Sequence, residues 1–325
     1  MRVENVTQFS VAPGPTYRFA TFTPEKKGKP AKVAIWSYPN LTTPVTGKSF
    51  YQAEEMTTNW APSGNSCIVF TSTTVDTSGK SYYGSTALHL LSADGSSDDY
   101  SVPLPKDGPV YDVKWCPDSN KAFFVVLSGM MPAQACLYNA KCEQLFLFGE
   151  AARNTISFAP SGRFMMLGGF GNLAGGMDFW DLNKKKKMGS NQANIPVGYD
   201  WSADSRYFIV STTAPRMNVE NGIQVFKYNG TGPVGNIAFE AGPVLFECVV
   251  KPAAFGTCAS EASGEKRSEW RRASEHQPDA SRDFPASRSF THPSLVPLPS
   301  QVRSPTDLRA RSAAERPLLP FRRRR

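Results

Sequence analysis

The stretch "GGFGNLAGGMDFWD" at residues 168–181 gathers the residue types from which phosphate-cradling loops are made: five glycines, with Lys184–Lys187 just downstream. Gly169, Gly171 and Ala174 satisfy a G-x-G-x-x-G/A string, in which small residues let a pyrophosphate approach a helix N-terminus. That chemistry needs a helix after the string, and here a strand pattern, Met177–Trp180, comes next instead. "TGKS" at 46–49 and "SGKS" at 78–81 end like Walker A loops, but Thr42 and Thr74 stand where the first glycine is required. Nucleophilic catalysis has no footing either. There is no G-x-S-x-G string, and His89 is the only histidine before the last 67 residues, which hold His276 and His292. The six cysteines, Cys67, Cys116, Cys136, Cys142, Cys248 and Cys258, show no CxxC spacing; Cys67, Cys116 and Cys136 sit within or beside apolar runs, where a free thiol behaves as a small hydrophobe. These residues predict a non-enzymatic protein with no cofactor and no metal site.

The elements that would carry these residues form a repeat. Aromatic anchors succeeded by a small residue and a turn recur at Phe9 ("FSVAPG"), Trp60 ("WAPSGN"), Trp115 ("WCPDSN"), Phe158 ("FAPSGR") and Trp201 ("WSADSR"), separated by 51, 55, 43 and 43 residues. Each anchor ends a short apolar run. A second run comes after the turn, such as "CIVFTST" or "YFIVST", and a third closes the unit: "KVAIWSY", "ALHLLS", "ACLYN", "MDFWD" or "IQVFKY". A weaker fourth run can be drawn in most units, for example "QLFLF" at 144–148. Four short strands per such period is the arithmetic of a β-propeller blade. The fold class expected is therefore all-β: a β-propeller of four-stranded WD-like blades. Trp180 and Asp181 occupy the WD position of the fourth blade. About five blades are counted, and "PVLFECVVKP" at 243–252 looks like the inner strand of a partial sixth. Since the pattern starts almost at once with "VTQFS", an incomplete ring is expected.

Composition marks the boundary of the repeat region. Residues 1–258 hold 16 Lys and 6 Arg, and residues 259–325 hold 1 Lys and 13 Arg. Most of the formal net charge of +8 lies in that second stretch, which is rich in Ser, Pro and Ala and shows no period of 2 or 3.6. The domains read as propeller blades over 1–252 and a disordered Arg/Ser/Pro-rich tail over 253–325, because such a segment buries too little apolar surface to offset its ordering entropy. The N-terminus "MRVENVTQFS" lacks an apolar h-region and no run reaches the ~18 apolar residues of a membrane span, so a cytoplasmic protein without a membrane partner is expected.

Long, non-generic strings in the repeat region resemble one family. "SYYGSTALHLL" (81–91), "PLPKDGPVYDVKW" (103–115), "GMMPAQACLYNAKCEQLFLFG" (129–149), "GGFGNLAGGMDFWDL" (168–182) and "STTAPRMNVENGIQVFKYNG" (211–230) are similar to the eukaryotic translation initiation factor 2A family. The resemblance covers roughly residues 5–252. It implies the C-terminal part of a longer WD-repeat-like propeller, without the family's Lys-rich C-terminal region. It further implies association with the small ribosomal subunit, mRNA and other initiation factors. The reaction implied is GTP-independent, codon-dependent binding of initiator methionyl-tRNA.

The residues themselves offer matching contact candidates. The longest insertions, at 22–32, 72–86 and 211–222, fall between the second and third runs of their blades and should emerge on one rim. Lys26, Lys27, Lys29, Lys32, Lys80 and Arg216 would form a basic band there for RNA phosphates. Lys184, Lys185, Lys186 and Lys187 lie on a different turn, and Arg322, Arg323, Arg324 and Arg325 end the tail. The competing readings are a generic propeller scaffold that binds proteins through these loops, and a truncated product with partial activity.

Overall fold

The structure, a computed structural model, describes residues 3–251 apart from 16, 27–28, 52, 54, 73–85, 96–98, 218–219 and 240–243. Alternating and continuous apolar runs bounded by turn residues favour strands, and strands are what the described residues form, in five antiparallel four-stranded sheets. The first sheet is β1 (Gln8–Val11), β2 (Arg18–Thr23), β3 (Ala31–Ser37) and β4 (Thr46–Phe50). The second is β5 (Glu55–Trp60), β6 (Ser66–Ser72), β7 (Thr86–Ser92) and β8 (Asp99–Ser101). The third is β9 (Val110–Trp115), β10 (Phe123–Ser128), β11 (Ala133–Asn139) and β12 (Gln144–Ala151). The fourth is β13 (Thr155–Phe158), β14 (Phe164–Gly168), β15 (Gly176–Asp181) and β16 (Lys186–Gln192). The fifth is β17 (Gly198–Trp201), β18 (Tyr207–Thr212), β19 (Gly222–Lys227) and β20 (Gly235–Ala238). Strands pair in chain order within every sheet, the up-and-down arrangement of a propeller blade.

Apolar cores form between consecutive blades rather than within them. Phe22 and Ile35 of the first blade meet Cys67 and Leu91 of the second; Ile68 and Leu90 meet Phe124 and Tyr138 of the third. Val125 and Leu137 meet Met165 and Trp180 of the fourth; Phe179 meets Phe208 and Phe226 of the fifth. Each such side chain taken out of water contributes roughly 1.5–3 kcal/mol. Among the described residues these are four cores for five blades. The thiols belong to this packing: burial pushes Cys67 and Cys142 up to about 12, and Cys116 and Cys136 are raised by the same cause.

From the second blade on, each anchor sits against the blade before its own. Trp115 lies in the core shared by blades two and three, Phe158 packs on that of three and four, and Trp201 lies in that of four and five. Indole N–H groups tie the inner strands together: Trp60 Nε1 donates to Ser10 Oγ (3.0 Å), Trp115 Nε1 to Asn59 O (3.0 Å) and Trp201 Nε1 to Ser157 O (3.2 Å). The turn after each anchor is closed by one backbone bond, from Ala61 N to Ser66 O, Cys116 N to Phe123 O, Ala159 N to Phe164 O and Ser202 N to Tyr207 O. In the first blade the same bond runs from Ala12 N to Arg18 O. The residue in the anchor register of blade one is therefore Val11, aligned as "VAPG" with "WAPSG", and Phe9 stands two positions earlier, 74% exposed.

Residues 244–251 correct a second expectation, since they form no strand. The segment is held by side bonds instead of a ladder: Ala214 N donates to Leu245 O (2.8 Å) and Leu245 N to Asn221 Oδ1 (3.2 Å). It docks on the β18–β19 connection of blade five and starts no sheet of its own. The tail beyond residue 251, including Arg322–Arg325, lies outside the described residues.

Candidate nucleic-acid interface

In an antiparallel blade the connections after the second and fourth strands leave at one end, and the anchor turn and the third-to-fourth connection at the other. The structure puts Lys26, Lys29 and Lys32 on or beside the β2–β3 connection and Arg216 on the β18–β19 connection, so they share a rim. Lys184 and Lys185 lie on the β15–β16 turn and Lys186 and Lys187 on β16 itself, towards the opposite rim. Lys27 and Lys80 lie outside the described residues.

The blade-one lysines are brought together by a tight hairpin. Lys26 and Lys29 exchange backbone bonds, Lys26 N to Lys29 O (3.1 Å) and Lys29 N to Lys26 O (2.7 Å). Lys26 Nζ donates to Asn5 Oδ1 (2.5 Å), and all three lysines are exposed. Arg216 belongs to a different blade. Its exposed guanidinium covers Gly171, where an added Cβ would stand 3.4 Å from Nη2.

Arg216 therefore closes over the glycine-rich loop that resembles a phosphate cradle. β14 ends at Gly168, β15 starts at Gly176, and the loop between them is packed rather than open. A Cβ on Gly169 would stand 2.2 Å from Ala152 O, and one on Gly175, whose φ is +82°, 2.2 Å from Ala193 O. Both glycines serve close approach of neighbouring connections, and no helix comes after them. Asn154 completes the clasp: its Nδ2 donates to Phe170 O (2.8 Å) and its Oδ1 accepts from Phe170 N (2.9 Å).

The Lys184–Lys187 run is partly committed to structure. Asp181, 3% exposed, accepts from Asn183 N (3.0 Å), Lys184 N (3.2 Å) and Arg163 Nη2 (3.1 Å), so the aspartate of the WD position caps its own turn. Its neighbour Trp180 fills the core between blades three and four beside Phe148, at 5.0 Å between centroids. Lys185 Nζ donates to Leu145 O (3.3 Å) on blade three. Lys187 Nζ pairs with Asp178 Oδ1 at 2.5 Å, and Asp178 also takes Ser190 Oγ (2.8 Å) and the buried guanidinium of Arg153. Burial opposes ionisation of Asp178, but Lys187, Arg153 and Ser190 together outweigh it and hold the carboxyl below its usual range. Of the four lysines, Lys184 and Lys186 keep exposed side chains without a role in this network.

Sequence reasoning missed this Arg153–Asp178–Lys187 cluster, because its members lie on three elements and share no spacing. It also missed a cleft of about 490 Å³ where β5 and β9 part, lined by Asn59, Phe70, Tyr111, Asp112 and Lys114 among others. Asp112 spans blades there, accepting from Ile156 N (2.9 Å) and Val113 N (2.9 Å), and burial raises its pKa despite those bonds.

Comparison with known proteins adds to this geometry. Residues 48–239 match the family model described as eukaryotic translation initiation factor eIF2A. A Dictyostelium discoideum protein named eukaryotic translation initiation factor 2A is 42% identical over 234 residues, 71% of this chain and 38% of its own length. Its Drosophila melanogaster namesake is 41% identical over 224 residues, 68% of this chain and 34% of its own length. A crystal structure described as that of "the eukaryotic initiation factor" superposes with a TM-score of 0.69 at 30% identity, covering 79% of this chain and 60% of its own. The chain thus spans between a third and two fifths of the length of these two curated relatives.

Proposed function

Because this chain belongs to the eukaryotic translation initiation factor 2A family, we propose that it acts in translation initiation as a non-enzymatic RNA-contacting factor on the small ribosomal subunit. The observation that carries the reading is the family match over residues 48–239, which contains all of blades two to five. The basic rim supports it, since Lys26, Lys29 and Lys32 offer cations in one hairpin to a phosphate backbone. In the same reading the factor engages mRNA and directs initiator methionyl-tRNA without GTP and according to the codon. The Arg-rich tail, ending in Arg322–Arg325, adds sequence-independent attraction. A cytoplasmic location accords with that role.

Co-sedimentation with purified small ribosomal subunits tests this. The chain is expected to travel with the subunit at low salt and to be released as salt rises. Charge reversal of Lys26, Lys29 and Lys32 should flatten the log–log salt dependence by about 2, since each phosphate contact contributes roughly 0.7–0.9 to the slope. Absence of co-migration at low salt, or binding indifferent to both salt and charge reversal, would overturn the proposal.

The domain boundary proposed near residue 252 has its own test. Limited proteolysis is expected to remove the tail first and to leave a resistant fragment ending close to Pro252. Rapid digestion throughout residues 1–252 would contradict it.

A second reading, a protein-binding scaffold, is favoured by one feature. Met130 and Met131, 54% and 40% exposed, project from the β10–β11 connection on the same rim as Lys26. Lys106 braces that tip, donating to Pro132 O (2.8 Å) and to Glu150 Oε2 (2.9 Å).

A further inference from the structure

A second, smaller cleft of about 260 Å³ lies where β4 of the first blade meets β6 and β7 of the second. Its walls include Lys48, Phe50, Tyr51, Thr71, Thr86 and His89. Register fixes which end of the blades it faces. Phe50 pairs with Ala31 at the start of β3, and Thr86 pairs with Ser72 at the start of β7, so both mark the ends that carry the second-to-third connections. The cleft therefore lies toward the same rim as Lys26, Lys29 and Lys32, and Lys32 stands opposite Ser49, another of its lining residues.

Its chemistry is specific in three respects. The His89 ring packs on Phe50, centroids 5.0 Å apart, and its Nδ1 is buried with no hydrogen-bond partner among the described residues. A buried polar atom without a partner calls for an explanation, and a ligand edge is one. Tyr51 beside it is 80% exposed, an aromatic left in water at the cleft. Charge, finally, is balanced: Lys48 Nζ is held by Asp99 Oδ2 at 2.7 Å. Burial, reinforced by Lys48, keeps the imidazole below its usual pKa and hence neutral. An anion would gain little in such a place. A flat neutral ring with donors and acceptors on its edge would gain stacking and the missing hydrogen bond. The volume is below the roughly 300–1,000 Å³ of pockets for drug-sized ligands, a size suited to a single ring system.

We propose that this cleft is a single-nucleotide subsite, where an unpaired RNA base stacks on Tyr51 and presents its hydrogen-bonding edge to His89. Unstacked bases of single-stranded RNA are recognised in this way, by aromatic platforms and edge bonds. Lys32 and Lys29 then meet the phosphates flanking that base. The subsite rests on the RNA-contacting reading of this rim and gives that reading a point at which bases, and not only charge, are sensed.

Fluorescence anisotropy on the full chain tests it, using labelled five-nucleotide RNAs and an abasic ribose-phosphate strand of equal charge. The base-bearing strands are expected to bind about tenfold more tightly, within the range seen for stacking of one base. Tyr51→Ala and His89→Ala should each remove most of that advantage and leave the abasic strand unaffected. If His89→Ala disturbs folding through its contact with Phe50, Tyr51→Ala decides alone, because that side chain is exposed. Equal binding of abasic and base-bearing strands overturns the subsite and leaves the electrostatic reading standing. Binding of neither strand, at a salt concentration where the chain still joins the small subunit, likewise overturns the subsite. Failure of both assays removes the RNA reading together with it.

Discussion

Trp201→Ala is expected to destabilise the protein by about 3–5 kcal/mol, the usual range for emptying a buried aromatic site. Phe9→Ala is expected to change stability by less than about 0.5 kcal/mol, as exposed substitutions do. Both residues read as anchors in the sequence, so the contrast tests the register that the structure assigns. Trp201 is 2% exposed, its ring lies 5.2 Å from Phe208 and 6.1 Å from Phe179, and its indole N–H bridges to Ser157 O of the neighbouring blade. Removing it leaves a void and breaks the indole bond that ties blade five to Ser157 O of blade four. Phe9 is 74% exposed and has no such role. Urea unfolding of the two variants would show the difference. Comparable losses at both positions would mean that Phe9 is an anchor after all and that Val11 is not.

Asp178→Asn should cost about 3–5 kcal/mol, because it leaves the Arg153 guanidinium buried without a counter-ion. The Arg153 side chain is only 6% exposed and that of Asp178 14%, so water cannot replace the lost partner cheaply. The same carboxylate makes stability depend on acid in a definite direction. Its pKa in the folded protein is held below the unfolded value, so its contribution is complete above the ordinary carboxylate range near 4. That contribution fades as pH falls through the lower folded value. Unfolding free energies measured from neutral pH downward should therefore fall less steeply for Asp178→Asn than for the native chain, from a lower starting point. Parallel curves would show that Asp178 is not the residue linking protons to stability here.

The repeating features were the ones legible in the sequence. The third runs predicted from "KVAIWSY", "ALHLLS", "ACLYN", "MDFWD" and "IQVFKY" all lie on third strands, because a bulky apolar run at fixed distance from a turn has few other ways to be buried. The rejection of a dinucleotide loop at Gly169–Ala174 rested on the element after the string, and that element is a strand, β15. Where the repeat degenerates, legibility is lost. "FSVAPG" offers an aromatic in the wrong place, and only the backbone bond from Ala12 to Arg18 identifies Val11 as the equivalent of Trp60. "GPVLFECVVKP" has the composition of an inner strand, but residues 244–251 find no partner strand and dock on a loop. Side-chain networks were the least legible of all. Arg153, Asp178 and Lys187 come from a connection and two strands, and nothing in one chain's order marks that they meet.

The four inter-blade cores carry a consequence for how the protein holds together. When apolar contact is made chiefly with the next unit, stability behaves as a chain of nearest-neighbour couplings, not as one sum. An inner blade such as the third, which shares Phe124 with the second and Val125 with the fourth, is coupled twice. Weakening it severs communication in both directions. The first and fifth blades are each coupled once among the described residues, so they can melt away while the middle stays intact. The basic hairpin and the His89 cleft belong to the first of these couplings. An RNA bound as proposed across Lys26, Lys32 and Tyr51 would also act as a clamp on a blade that is coupled only once among the described residues.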